Sequence, residues 1–67
     1  MYEFDDNVEV LVQLPNRPES RRHIGFLTAG ERPTDDDYAR WGVNPKRILG
    51  QRMRRIGGRH VFLIVTI

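Results

Sequence analysis

The end of the chain contains the feature that most limits its fold, five consecutive apolar residues, Val61 to Val65, within "RHVFLIVTI". An uninterrupted apolar run has no polar face to turn toward water, so it is typical of a strand in a sheet interior or beneath a covering partner. The run is far too short to cross a bilayer. We therefore expect a fold built around a terminal strand that is apolar on both faces.

The size and composition of the chain indicate one small domain, residues 1–67. A chain of 67 residues buries only about 60% of its unfolded surface, so its stability is marginal. It contains no cysteine, which excludes disulfides and thiolate-bound zinc as stabilising elements. Residues 1–20 carry acids where a secretory leader would have a basic start and an apolar middle. We expect a soluble, cytoplasmic domain that depends on packing or on a partner.

The first third of the sequence predicts a β-hairpin. "NVEVLVQLP" alternates apolar and polar residues with a period of two, which predicts a strand over Val8–Leu14. "PNRPES" contains the prolines, asparagine and serine of a turn. "RRHIGFLT" then predicts the returning strand, Arg22–Thr28.

A pair of helices is predicted between the hairpin and the last strand. Thr34 precedes Asp37 by three residues, close to the capping-box spacing that opens a helix, and Gly42 suits its end. Asn44, followed by proline, predicts the cap of a second helix over residues 45–56, which would end at a glycine pair. An apolar stripe at helical spacing supports this second helix: Ile48, Leu49, Met53 and Ile56.

Together these elements predict an α+β fold with the element order β-β-α-α-β. A right-handed crossover would place the last strand beside the first, which gives a three-stranded sheet of order 2-1-3 with a helical pair on one face. The last strand would then lie at a sheet edge, where its second apolar face needs cover. We therefore predict a homodimer with Val61, Leu63 and Val65 as the partner interface.

The charges divide the chain into two unlike halves. Residues 1–37 hold nine acids and four arginines, a net charge of −5, whereas residues 38–67 hold seven basic residues and no acid, a net charge of +7. Such asymmetry indicates binding to nucleic acid, an acidic protein surface or anionic lipid. The alternative is that the acidic half folds against the basic half and neutralises it.

The segment "DYARWGVNPKRILGQRMRR" resembles a helix-turn-helix, a family of DNA-reading motifs, over residues 34–56. In that motif a glycine lies in the turn, the next apolar residue fills the gap between the helices, and an aliphatic residue packs the second helix onto the first. Gly42, Val43 and Ile48 occupy these positions. "GVNPKRI" is also similar to the "GVSPRTI" type of turn in small regulators.

The resemblance implies a non-catalytic, dimeric regulator that binds nucleic acid, with DNA favoured over RNA, and a mobile-element context. Its second helix would lie in the major groove, with some side chains reading bases and others contacting phosphates. The end of the chain would form a short wing. The implied base readers are Lys46, Arg47 and Gln51; Arg54, Arg55 and Arg59 would contact phosphates, and His60 would join Arg59 at the tip of the wing.

Two other interpretations remain open for the basic segment. A phage- or plasmid-type inhibitor or adaptor would dock the basic helix on a larger protein or nucleoprotein machine, and the last strand would pair with a copy of itself or with the target. The simplest interpretation is that the arginines only solvate an exposed helix.

Catalysis is the weakest functional class for this sequence. His23 and His60 are the only histidines, and no serine lies at a recognisable nucleophile spacing. "RRIGGRHVFLIV" resembles the end of ribosome-dependent ribonuclease toxins, but those have several strands after their helices. Asp35, Asp36 and Asp37 suit a helix start better than a metal site. We therefore expect no enzyme activity, no cofactor, no metal and no membrane partner.

Overall fold

The computed structural model describes residues 7–67, which form a single four-stranded sheet with one short α-helix. The sheet order is β2-β1-β4-β3. Two antiparallel hairpins, β1–β2 and β3–β4, are joined by the parallel pairing of β1 with β4. The elements are β1 (Asn7–Leu14), β2 (Arg17–Thr28), α1 (Asp35–Trp41), a 3₁₀ helix (Pro45–Arg47), β3 (Ile48–Ile56) and β4 (Arg59–Thr66).

The predicted fold class, a three-stranded sheet of order 2-1-3 with a helical pair, is wrong. Residues 48–56, assigned to a second helix, form β3, and only Pro45–Arg47 makes a helical turn. The glycine pair explains the difference. Gly57 and Gly58 have φ of 61° and 78°, and two successive residues of positive φ make the tight turn that joins antiparallel strands. The pair therefore closes a hairpin rather than ending a helix.

The last strand is interior, because β4 lies between β1 and β3. This position satisfies its apolar run on both faces: Ile64 is 0% exposed on the α1 side, and Val61 and Leu63 are 2% and 4% exposed on the other. The predicted edge position is wrong, and the argument for a dimer that rested on it no longer applies. The homodimer itself stays a prediction.

The β1–β2 hairpin is confirmed, although β2 begins at Arg17, earlier than predicted. A bulge at Ile24 interrupts it, since Val10 pairs with Gly25 whereas Leu11 pairs with His23. The indole of Trp41 packs directly against Gly25. A Cβ atom added there would lie 2.2 Å from Trp41 Nε1, so the close contact requires glycine.

The core lies between α1 and the sheet. Val10, Leu27, Tyr38 and Ile64 form its buried centre. The Tyr38 hydroxyl donates a hydrogen bond of 2.7 Å to Gln51 Oε1, which ties α1 to β3. Half-buried residues surround this centre: Val12, Ile24, Trp41, Val43, Ile48 and Phe62.

The predicted boundaries of the first helix are confirmed. Thr34 Oγ1 accepts from the Asp37 N–H at 3.2 Å, and the Asp37 carboxylate accepts from the Thr34 N–H at 2.9 Å, which completes a capping box. Gly42 ends the helix with φ of 75°. The hydrogen bond from the Thr34 backbone, assisted by Arg40, lowers the pKa of Asp37 below its ordinary value of 3.8. Within residues 7–67, no helix has the length and apolar character of a membrane span.

Removing the Thr34 hydroxyl is expected to destabilise the domain. Thr34→Ala leaves the Asp37 N–H without its side-chain acceptor, and loss of such a cap lowers the free energy of unfolding by about 1 kcal/mol. Chemical denaturation of Thr34→Ala and of Thr34→Ser, which keeps a hydroxyl, measures the effect. A Thr34→Ser variant as unstable as Thr34→Ala would contradict the capping role.

The Asp37 half of the cap gives the stability a defined pH dependence. Because the pKa of Asp37 is lowered in the folded state, its contribution is present above the unfolded pKa and is lost as the pH falls through the folded pKa. Wild type should therefore be more stable than Asp37→Asn at neutral pH, and the difference should disappear in acid. Thermal unfolding of both proteins across this range tests it, and a difference independent of pH would contradict it.

Candidate nucleic-acid interface

The sheet surface opposite α1 is the most distinctive surface in the described part of the chain. Val10 and Ile64 face α1, and side chains alternate along a strand, so their neighbours in sequence lie on the other side. That other side, where Val61 and Leu63 are nonetheless buried, lacks the described α-helix, because α1 packs against Val10 and Ile64. We call it the helix-free face, and in its centre it carries His23, Phe26, Glu9, Leu11, Val61, Leu63, Arg52 and Arg54.

The strand register arranges these eight residues in two parallel rows that each cross all four strands. The first row is Arg52 on β3, Leu63 on β4, Leu11 on β1 and His23 on β2. The second row is Arg54, Val61, Glu9 and Phe26 in the same strand order. Each row therefore has a guanidinium at one end and an aromatic ring at the other, with about 14 Å between its ends at the usual strand spacing. Between the ends, the first row has two apolar residues, and the second has Val61 and the acid Glu9.

Arg52 and Arg54 on this surface have no carboxylate partner among residues 7–67. The segments β1, β3 and β4 contain a single acid, Glu9, and its carboxylate pairs with Arg59 at 2.7 Å. The other ion pair in this part of the chain, Arg40 with Asp37, lies on α1. No carboxylate of the described residues pairs with Arg52, Arg54 or Arg55.

Within residues 7–67, one contact joins the acidic start of the chain to the basic half. Of the four acids nearest the start of the chain, Glu9 engages one guanidinium, that of Arg59. Glu3, Asp5 and Asp6 lie outside the described residues. The arginines of β3 are exposed on a strand rather than on the predicted helix, Arg52 and Arg54 on the helix-free face and Arg55 on the α1 side.

The structure disperses the residues predicted to bind nucleic acid. Lys46 and Arg47 are exposed in the 3₁₀ helix. Gln51 uses its amide oxygen to accept the Tyr38 hydrogen bond. The remaining residues meet near the tip of the β3–β4 hairpin: Arg54 and Arg59 on the helix-free side, and the cross-strand pair of Arg55 and His60 on the α1 side.

The predicted partner residues lie inside the fold. Val61 and Leu63 are buried by their own chain, and Val65 is half-buried. In the rows, Val61 lies between Glu9 and Arg54, and Leu63 lies between Leu11 and Arg52. The methylene groups of the neighbouring arginines can pack over these two buried residues.

A shallow depression of about 460 Å³ lies on the helix-free face between β3 and β4. Its apolar lining includes Leu49, Leu63 and Val65, and Leu49 is 60% exposed. Arg52 and Arg54 flank it, and the Gln13 side chain provides a polar group. A flat apolar group that carries polar edges and a nearby negative charge is complementary to this lining.

Sequence reasoning did not find the aromatic end of the rows. Phe26 is 56% exposed, and its ring forms a T-shaped pair with that of His23, with 4.9 Å between the ring centroids. The alternation of side chains along β2 could have revealed the position of Phe26, because Phe26 and the buried Leu27 are adjacent and so must lie on opposite faces. Simple alternation would place His23 on the opposite face from Phe26, but the bulge at Ile24 brings both residues to the same face.

The potential metal ligands in the described part of the chain are not clustered. Residues 7–67 contain no cluster of three or more histidines and carboxylates placed to hold an ion. His23 and His60 lie on opposite faces of the sheet.

Comparison with known proteins indicates no family for this chain. No family model, no curated protein and no solved structure matches this chain. A function must therefore be inferred from the residues of the helix-free face and the hairpin tip.

Proposed function

We propose that this protein binds nucleic acid without catalysis, as a small regulator, through β3 and the tip of the β3–β4 hairpin. One observation carries the proposal: Arg52, Arg54 and Arg55 lie on one edge strand with no carboxylate partner among residues 7–67. Arginine is suited to phosphate because its planar guanidinium donates two parallel hydrogen bonds.

The proposal does not need a second helix. A two-stranded antiparallel ribbon can also enter a major groove, and β3–β4 is such a ribbon with basic residues around its Gly57-Gly58 turn. Phosphate contacts by themselves do not distinguish duplex from single strand, since they position a protein without reading bases. The arginines alone therefore support nucleic acid as a class.

A salt titration tests this function. Wild type should bind a fluorescein-labelled oligonucleotide with micromolar affinity at low salt, and log K should fall linearly with log salt at about −0.7 to −0.9 per phosphate contact. Arg54→Ala should make the slope shallower by about one contact. Absence of binding at low salt to both single-stranded and duplex probes would overturn the proposal.

A second candidate, binding to an acidic protein, has one specific observation in its favour. β3 is an edge strand whose outer backbone groups have no partner strand in residues 7–67, and Met53 and Leu49 are exposed beside it. An extended acidic peptide could add to this edge. This candidate predicts that oligonucleotides do not bind, whereas a poly-glutamate peptide shifts the β3 amide signals.

A further inference from the structure

We propose that the nucleic acid bound by this protein is single-stranded and that it lies across the helix-free face, with a base stacked on Phe26. This inference rests on the proposed function and names the ligand class of the same site. It depends on three features of the two rows: an exposed ring, an apolar middle and a guanidinium end.

The exposure of Phe26 is the first feature. Phe26 is 56% exposed whereas its sequence neighbour Leu27 is buried, so the Phe26 ring is accessible to a ligand on the helix-free face. The Phe26 and His23 rings form a T-shaped pair with 4.9 Å between their centroids, which places two aromatic rings together at this end of the rows. Bases of a single strand stack on such side chains because every base has a π-face, whereas bases within a duplex are already stacked.

The apolar middle of the rows is the second feature. Leu11, which is half-buried, lies between the aromatic end and the arginine end of the first row and provides an apolar surface over which a sugar or base can lie, whereas Val61 and Leu63 are already buried. The depression of about 460 Å³ between β3 and β4 continues this surface to Leu49 and Val65. Its guanidinium groups can stack on a base or bind its phosphate.

Charge complementarity is the third feature. The acid in the rows, Glu9, has its charge offset by Arg59 at 2.7 Å, so it presents little repulsion to a phosphate chain. Arg52 and Arg54 lie on the same face with no described carboxylate partner. The combination of a cationic border with an aromatic platform is the arrangement that binds single strands with little sequence preference.

Comparison of matched probes tests this inference. We expect oligo(dT) of about 12 nucleotides to bind more tightly than a duplex of the same length, because the duplex cannot offer an unstacked base. Phe26→Ala should weaken single-strand binding by about 5- to 100-fold and leave duplex binding unchanged. The matched control is Leu14→Ala, which removes an apolar side chain of 46% exposure at the far end of β1 and should change neither.

The outcomes separate this inference from the proposed function. If duplex and single strand bind equally and Phe26→Ala has no effect, the ligand class is wrong while nucleic-acid binding stands. If neither probe binds wild type at low salt, the function itself fails. If sedimentation shows a dimer that Phe26→Ala dissociates, the helix-free face is a self-association surface and the inference is overturned. Circular dichroism of each variant confirms that the fold is retained.

Discussion

Reversing the charge of Arg52 and Arg54 together is expected to lower the affinity for oligo(dT) by on the order of 100-fold, since each charged hydrogen bond to phosphate contributes about 1.5 kcal/mol or more. Both side chains are exposed on the helix-free face, and neither pairs with a described carboxylate. The substitutions Arg52→Glu and Arg54→Glu should therefore act on binding rather than on folding. Fluorescence anisotropy at low salt measures the loss.

The control for this variant makes the same change in net charge at a different place on the sheet. Arg17→Glu with Arg22→Glu produces the same change in charge on β2, where both side chains are exposed and lie outside the two rows. If net charge alone drives association, the two double variants will lose affinity equally, which would contradict a localised site. A large loss in the first variant with a small loss in the control is the expected result.

Adding one methyl group at Gly25 is expected to destabilise the domain by about 1–3 kcal/mol, the usual cost of overpacking. The new Cβ would lie 2.2 Å from Trp41 Nε1 and 2.6 Å from Cδ1, so the indole must leave its position. Trp41 is the single tryptophan, and its emission will report that displacement as a red shift. Denaturant unfolding of Gly25→Ala measures both effects.

Gly50→Ala is the matched control for this prediction. Gly50 also lies in a strand, and a Cβ atom added there meets nothing within 4 Å. It should leave the stability unchanged or raise it by up to about 1 kcal/mol. If Gly25→Ala and Gly50→Ala behave alike, the contact between Trp41 and the β2 bulge does not determine stability. Combining Gly25→Ala with Trp41→Leu should recover part of the loss, because the smaller side chain relieves the clash.

The first strand and the start of the helix could be predicted from patterns of neighbouring residues. The alternation in β1 identified a buried face, and the Thr34–Asp37 spacing identified the helix start, because both depend on neighbouring residues alone. In the second half, the spacing of the apolar residues fitted two different structures. Ile48, Leu49, Met53 and Ile56 fit a helical stripe, yet residues 48–56 pair with β4.

The sequence predicted that the candidate site is rich in arginine, but it did not predict where the residues of the site lie relative to one another. The excess of arginine after residue 38 indicated an anionic ligand, and this follows from charge alone. The row that joins Arg54 to Phe26 could not be predicted, because it depends on the register of three strand pairs and on a bulge in β2. The Gly57-Gly58 pair was the one local signal that distinguished a hairpin from a helix end.

An NMR titration of isotopically labelled protein with oligo(dT) tests most directly whether residues 48–56 form a basic edge strand that binds nucleic acid. We expect cross-strand contacts between β3 and β4 in the free protein, and shifts on titration at the amides of Arg52, Arg54 and Phe26. The amides of α1, residues 35–41, should not shift. Helical contacts through residues 48–56, or shifts confined to α1 and the 3₁₀ helix, would contradict the account.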